Sequence, residues 1–199
     1  MPSKTAERKL ADPEKGVRRE AAVLADTRGW LEHAVIGLNL CPFAKAVHLK
    51  ALVHFAVSPA QTASQVLGDL RREAADLAAC PPHQRETTLL VVPDCLEQFL
   101  EFNDVVVRGE RMLRKEGLEG VLQLASFHPA YCFADAADDD VTNFSNRSPY
   151  PTLHLLRESS VEQAVLACPD AESIYGRNQE TLRALGKAGW AALGLVHRQ

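Results

Sequence analysis

The sequence has no long hydrophobic run, no leader with an apolar core and no excess of basic residues. Its apolar runs fall short of the roughly 20 residues that a membrane-spanning helix needs. Residues 1–13 carry charges without an apolar core, which is not the pattern of a secretory signal. The net charge of −4 and the pI near 6.0 provide no basic surface for nucleic acid. We therefore expect a cytoplasmic protein with no membrane and no nucleic-acid partner.

Several common catalytic signatures are also missing. The chain has no glycine-rich phosphate loop, no G-x-S-x-G elbow and no H-E-x-x-H helix. Its five cysteines are odd in number, widely spaced and free of any C-x-x-C pair, a pattern typical of reduced thiols rather than of a disulfide framework. These absences exclude the commonest nucleotide-binding, serine-hydrolase and zincin signatures, although not those reaction classes as a whole.

What is present is the composition of an ordinary globular protein. The chain has 199 residues, of which 46% are hydrophobic and 24% charged, and it is long enough to bury a substantial core. We predict a disordered N-terminal segment over residues 1–13, where Pro2 and Pro13 lie among small and charged residues. Residues 14–199 are expected to form a single α/β domain.

Helical and extended patterns alternate along the chain. Apolar residues spaced by threes and fours predict helices over Val17–Leu38, Val66–Leu77, Phe99–Leu113 and Val161–Ala167, and from Asn178. Alternating or continuous apolar runs predict strands over His48–Val57, Thr87–Val92, Val121–Phe127 and Thr152–Arg157. This order indicates an α/β (α+β) fold with a single sheet of about four strands and packed helices. A ferredoxin-like arrangement with added N- and C-terminal helices is the version that we expect.

A long polar segment joins the last two predicted strands. The first of them ends at His128-Pro129, because proline cannot continue a strand ladder and keeps the preceding residue extended. The connection is longer than is usual in compact domains without a function. Four aromatic residues argue against disorder: Tyr131, Phe133, Phe144 and Tyr150. We expect a functional site beside this segment.

Cys41 and two histidines are the candidates for catalysis. Cys41 follows the end of a predicted helix, where the macrodipole disfavours a thiolate, so its activation needs a cation or a base. His128 at a strand end could supply general acid or base catalysis, and His154 in the next strand could join it. The alternatives are a Cys41 that packs as a small hydrophobe and a His154 with a structural hydrogen bond.

Two arginines indicate an anionic ligand. Arg147 and Arg157 are planar multidentate donors suited to carboxylate or phosphate, and Asn146 could orient the ligand. Asparagine and serine are, however, also ordinary turn formers. Asp138–Asp140 could bind a hard cation, although three adjacent acids more often form a solvated turn. Glu86 is interpreted as a solvated loop carboxylate rather than as an acid or base.

Three separated blocks of sequence resemble the family catalogued as domain of unknown function 1415. They read LNLCPFAK from Leu38, QLASFHP from Gln123, and NRSPYP followed by LHLLRE from Asn146. The blocks occur in the family's order, and the resemblance spans about Arg18 to Leu185. It implies no activity, cofactor or partner. The blocks do contain all six candidate residues: Cys41, His128, Asn146, Arg147, His154 and Arg157.

Our leading hypothesis is a cytoplasmic enzyme that acts on a small anionic metabolite. Cys41 and His128 are its expected catalytic residues and must therefore lie close together. The expected ligand-binding residues are Asn146, Arg147, His154 and Arg157. One alternative is a non-catalytic module that binds a small ligand or a protein. The other is a metal site built from Cys41, His128 and His154, whose spacing lacks the short ligand pairs of zinc motifs.

Overall fold

A four-stranded sheet forms the centre of the structure, a computed structural model that describes residues 13–167 and 173–196. Its strands are β1 (Val53–Val57), β2 (Thr87–Val91), β3 (Leu122–Phe127) and β4 (Thr152–Arg157). They lie in the order β1-β2-β4-β3. β1 and β2 are parallel, whereas β4 runs antiparallel to β2 and β3. The register places His154 opposite Leu89 on one side and Ala125 on the other.

Helices cover both faces of the sheet. The described α-helices are α1 (Pro13–Trp30), α2 (Ala44–Leu49), α3 (Ala63–Ala79), α4 (Phe99–Lys115), α5 (Glu158–Ala167) and α6 (Ile174–Ala192). A π-helical turn over Leu31–Ile36 continues α1, and a 3-10 helix spans Val141–Asn146. No helix among residues 13–167 and 173–196 is long and apolar enough to cross a bilayer.

The order of the elements follows from how the strands are connected. α3 connects β1 to β2, α4 connects β2 to β3, and the long polar segment connects β3 to β4. The sequence predicts a mixed fold with one sheet of about four strands and packed helices, and the structure confirms it. A ferredoxin-like chain runs β-α-β-β-α-β. Here the order is β-α-β-α-β-β, because the antiparallel pair β3 and β4 needs no crossover helix.

The two faces of the sheet have different partners because successive side chains of a strand point in opposite directions. One face, the α3/α4 face, packs Leu90, Leu153 and Leu155 against both of those helices. The other, the α1 face, packs Leu89 and Phe127 with residues of α1, the π-helical turn and α6: Trp30, Leu31, Val35, Leu182 and Trp190. β2 is buried along its whole length, as its continuous apolar sequence predicts.

Several element boundaries differ from the predicted ones. The strand expected over His48–Val57 begins only at Val53, because α2 occupies its first part. Alternation of Leu49 and Ala51 therefore indicated a strand where the chain is helical. Ala51 then adopts a left-handed backbone with φ of 55°, which ends the helical turn. The last helix begins at Ile174 rather than at Asn178.

Part of the predicted N-terminal segment falls outside the described residues. Residues 1–12 are not among them, and Pro13 is the first residue of α1. Proline is well suited to this position, because the first turn of a helix does not use its backbone N–H groups. Cys168 and Pro169, which follow the predicted helix Val161–Ala167, also lie outside the described residues.

Candidate functional site

A cavity of about 360 Å³ opens on the α1 face of the sheet. Its volume lies in the range of about 300–1,000 Å³ that is typical of small-molecule sites. The floor consists of side chains from all four strands: Val53, Leu89, Ala125, Phe127 and Leu156. The walls come from the π-helical turn, α2 and α5: Leu31, Val35, Ala44, Val47, Val161 and Ala164. The lining is therefore mainly apolar.

Two short helices leave this space unfilled. Neither α2 nor α5 has a buried residue, so each covers the sheet without inserting a large side chain into it. The residues that they turn towards the cavity include the small side chains of Ala44, Ser160 and Ala164. A π-helical turn also lines the wall, and such turns occur often at functional sites. The cavity is thus a consequence of small side chains on short helices.

His154 and Thr87 form the polar centre of the floor. They lie diagonally across the β2–β4 pair and point to the same face. The Thr87 hydroxyl lies 2.7 Å from His154 Nε2 and donates to the Leu155 carbonyl at 2.6 Å. A hydroxyl has only one proton to donate, and the carbonyl can only accept. His154 therefore carries its proton on Nε2 and donates it to Thr87.

The second ring nitrogen of His154 is Nδ1. Nδ1 has no hydrogen-bond partner among the described residues. It is not fully buried either, so it borders open space. Because His154 lines the cavity, that space is the cavity itself. Burial in apolar surroundings lowers the pKa of His154 from 6.5 to about 4, so the imidazole is neutral at pH 7. It presents a hydrogen-bond acceptor to the cavity.

Cys41 lines the same cavity. It follows Asn39, whose left-handed backbone with φ of 54° turns the chain after the π-helical turn. Cys41 is half-buried and packs with the apolar residues of the α1 face. Glu86 and Gln123 add two further polar groups to the lining. The cavity therefore brings Cys41 and His154 into one space, although not His128.

His128 lies on the opposite side of the sheet from the cavity. It follows Phe127, and strand alternation turns it towards α4. Its ring packs against Phe99 and Phe102, with centroids 5.4 Å and 5.0 Å away. Nδ1 accepts from Ala130 N at 3.0 Å, so Nε2 carries the proton and donates to the Leu96 carbonyl at 3.0 Å. Both nitrogens are used, and the structure separates His128 from Cys41.

Arg147 and Asn146 hold the polar segment together. Arg147 donates from Nε to the Tyr131 carbonyl at 3.1 Å and from Nη2 to the Asp138 carbonyl at 2.6 Å. Its guanidinium carbon lies 4.9 Å from the Phe144 ring centroid, in cation–π geometry. The Asn146 carbonyl accepts from the backbone N–H of His128 at 3.1 Å. These contacts stabilise the conformation of the polar segment.

Arg157 caps the C-terminal end of α3. Its Nη2 donates to the carbonyls of Leu77, Cys80 and Arg85, which places a cation where the helix dipole is negative. The side chain is buried, and its Nε has no hydrogen-bond partner within residues 13–167 and 173–196. Arg157 also lines the cavity. It is the only one of the two predicted anion-binding arginines that reaches this space.

Two of the three adjacent acids, Asp139 and Asp140, have separate partners. Asp140 accepts from the backbone N–H and the hydroxyl of Thr142, both at 2.8 Å, and these bonds lower its pKa. Asp139 forms an ion pair with Lys187 at 3.0 Å. In the part of the chain that the structure describes, no three His, Cys, Asp or Glu side chains are grouped to hold a metal ion. The proposed set of Cys41, His128 and His154 is divided between the two faces of the sheet.

Sequence reasoning missed Thr87 as a site residue. It was part of a predicted strand, but its hydroxyl is what fixes the proton of His154. Knowledge of the β2–β4 register would have paired the two residues, because both point to the same face. The floor residues and the wall formed by α2 were also missed, since α2 lies where a strand was expected.

Comparisons with other proteins give one match. No curated protein and no solved structure matches the chain. A family model described as "Protein of unknown function (DUF1415)" matches residues 22–192, which include both the cavity and the polar segment. That span covers most of the chain and contains all six predicted site residues. The protein therefore belongs to the DUF1415 family.

Proposed function

We propose that this protein binds a small, largely apolar molecule in the cavity on the α1 face. The observation that supports this function is an unfilled, mainly apolar space with a single histidine–threonine pair in its floor. Small-molecule sites combine an apolar lining with a few placed polar groups, as here.

Binding is favoured over acid–base catalysis by the proton affinity of the histidine. A general base works best when its pKa is close to the working pH. The pKa of His154 is about 4, because its ring is buried, so it accepts a proton poorly at neutral pH. It can still accept a hydrogen bond. The same neutral ring therefore suits recognition better than proton transfer.

A matched pair of variants on α2 tests this function. Ala44 faces the cavity, whereas Ala46, two residues further along the same helix, is exposed to solvent. Binding of the neutral probe 1-methoxynaphthalene is measured by titration calorimetry. We expect Ala44→Leu to weaken binding by about tenfold or more, since the added methyl groups occupy the space. Ala46→Leu should bind as the wild type does. Equal binding by both variants, or no binding to the wild type, would contradict the proposal.

The second candidate is an enzyme that uses Cys41 as a nucleophile. It is favoured by the position of Cys41 and His154 in one cavity, where Nδ1 could receive the thiol proton. Arg157 is also a lining residue, and a small anionic substrate would need its guanidinium to leave the carbonyls at the end of α3. In this version His154 takes the role that the sequence assigned to His128.

Selective alkylation tests the second candidate. The chain provides its own controls, because burial raises the pKa of the Cys95 and Cys132 thiols. Iodoacetamide at neutral pH should modify Cys41 at least about tenfold faster than these two if Cys41 is an activated nucleophile. Mass spectrometry of tryptic peptides measures the rates. Similar slow rates at all three cysteines would remove the enzyme and leave the binding function.

A reducing compartment fits the cysteines of the described residues. Cys41, Cys80, Cys95 and Cys132 are all free thiols. Such thiols persist in the cytoplasm, where disulfides are rare. We include the cytoplasm in the proposal on this ground.

A further inference from the structure

The chemistry of the His154 ring limits what the cavity can bind. We propose that His154 Nδ1 selects the ligand by accepting a hydrogen bond, so that the ligand is an uncharged molecule with an apolar body and a hydroxyl or amide N–H group. This inference rests on the proposed binding function and adds the ligand class to it. It makes His154 a specificity-determining residue and Thr87 a positioning residue.

The first step is the fixed position of the imidazole proton. Thr87 Oγ1 lies within hydrogen-bond distance of two groups, the Leu155 carbonyl at 2.6 Å and His154 Nε2 at 2.7 Å. Its one proton goes to the carbonyl, which has no proton to give. The threonine oxygen can then only accept from Nε2–H. Thr87 is itself buried and belongs to the central strand, so this arrangement is rigid.

The second step is the direction of the remaining lone pair. Nδ1 is the ring nitrogen without a partner among the described residues, and it borders open space in the cavity. The two residues directly opposite His154 in the sheet, Leu89 and Ala125, offer it no side-chain donor. The Phe127 ring lies tilted beside that of His154 on the same face, with the two centroids 6.0 Å apart. A ligand donor would satisfy an acceptor that the protein leaves open.

The third step is the charge of the ligand. A carboxylate at this position would place its lone pairs against the lone pair of Nδ1, which is repulsive. A cationic group would lose its hydration against a mainly apolar lining, which carries a cost in free energy. Arg157, Glu86 and Cys41 are the other ionisable groups in the lining. A neutral donor such as a hydroxyl avoids both penalties.

Three probes with one apolar body separate these possibilities. 1-Naphthol has a donor, 1-methoxynaphthalene has an acceptor only, and 1-naphthoate has an anion. We expect the wild type to bind 1-naphthol about three- to tenfold more tightly than 1-methoxynaphthalene, and to bind 1-naphthoate most weakly. His154→Phe keeps a ring of similar size without the acceptor. It should bind the first two probes equally, and its retained affinity for 1-methoxynaphthalene shows that the cavity is intact.

The outcomes distinguish the inference from the function on which it rests. Equal binding of 1-naphthol and 1-methoxynaphthalene to the wild type, or an unchanged preference in His154→Phe, overturns the inference and leaves the binding function. Tightest binding of 1-naphthoate also overturns it, in favour of an anionic ligand. Binding of none of the three probes overturns the proposed function and the inference together.

The imidazole ¹⁵N spectrum of the wild type provides a second measurement that needs no folded variant at position 154. Addition of 1-naphthol should shift the unprotonated Nδ1 resonance of His154, whereas 1-methoxynaphthalene should leave it nearly unchanged. Thr87→Val removes the acceptor of Nε2–H, so both tautomers should then appear in the spectrum and the preference for 1-naphthol should fall. A single Nδ1–H tautomer in the wild type would overturn the inference.

Discussion

The two faces of the sheet each hold a histidine, and the two histidines have different surroundings. His128, towards α4, is 1% exposed and has a partner at each ring nitrogen. His154, on the α1 face, has a partner at one nitrogen and open space at the other. Burial lowers the pKa of both. A lowered pKa therefore does not distinguish a structural histidine from a candidate binding residue, whereas a free ring nitrogen does.

The two faces also differ in packing, and the α1 face is again the more open of the two. On the α3/α4 face the elements approach so closely that a Cβ on Gly109 would lie 2.8 Å from a methyl carbon of Leu70 and 2.9 Å from one of Leu124. On the α1 face the two short helices bury no residue of their own. One face is complete without a ligand, and the other retains a space that a ligand would fill. The following predictions test this difference.

The largest effect is expected for Phe102→Ala on the closed face. Phe102 is fully buried, and it contacts His128 at a ring distance of 5.0 Å. Its loss should lower the free energy of unfolding by about 3–5 kcal/mol. Leu156→Ala, at the partly open cavity, should cost less, because its side chain is only half-buried. Urea denaturation measures both values. A larger loss for Leu156→Ala would reverse the comparison of the faces.

The next effect is a pH dependence that belongs to His154. Its pKa is lowered from 6.5 to about 4, so the unfolded chain takes up the proton before the folded protein does. The stability that this group contributes is present above pH 6.5 and is lost as the pH falls from 6.5 towards 4. The loss should be of the order of 3 kcal/mol. Denaturation curves of the wild type and His154→Phe across this range give the difference.

The ionisable groups that line the same cavity are Cys41, Glu86 and Arg157. They are present in both proteins, so their contribution cancels in the comparison. If the stabilities of the wild type and His154→Phe fall in parallel between pH 6.5 and 4, the imidazole is not held neutral by burial.

A glycine pair on the two packed helices tests the close contact. Gly109→Ala on α4 should destabilise the protein by about 1–3 kcal/mol, since its Cβ would meet two leucine methyl groups. Gly68→Ala on α3 is the matched control, because no atom lies within 4 Å of its added Cβ. It should stabilise the helix by about 0.5–1 kcal/mol. Thermal unfolding measures both, and stabilisation by Gly109→Ala as well as by Gly68→Ala would show that the α3/α4 face has space for an added methyl group.

The smallest effect is expected from filling the cavity. Ala164→Leu on α5 should stabilise the free protein by about 0.5–2 kcal/mol, because new apolar contacts form without displacing any side chain. Ala167→Leu, exposed on the same helix, should change stability by less than about 0.5 kcal/mol. Differential scanning calorimetry is sensitive enough for both. Destabilisation by Ala164→Leu would indicate that the space is smaller than the structure shows.

An element could be predicted from the sequence where its residue pattern fits only one type of secondary structure. β2 and β4 have continuous apolar runs between clear turns, so their positions were predictable. The segment from Ala44 to Ala51 was not, because alternating Leu49 and Ala51 fit a strand, whereas tertiary packing makes α2 a helix. That helix is one wall of the cavity, so the cavity itself was not predictable.

The candidate site could be predicted only in part. Cys41, His154 and Arg157 are among the residues that line one cavity, and their joint role in a site stays a prediction. His128 faces the other way. It lies two residues after Ser126, and alternate residues of a strand point to the same face, here the α3/α4 face. The sequence could not reveal that the guanidinium of Arg147 would be bonded to backbone carbonyls, since those partners are set by the loop conformation.

The most direct test of the account is a crystal structure of the protein grown with 1-naphthol. We expect the naphthalene ring in the cavity between Ala125 and Val161, with its oxygen about 2.8 Å from His154 Nδ1. Thr87 should keep its contact with Nε2. A probe bound elsewhere, or a probe in the cavity with its hydroxyl turned away from His154, would contradict the central claim.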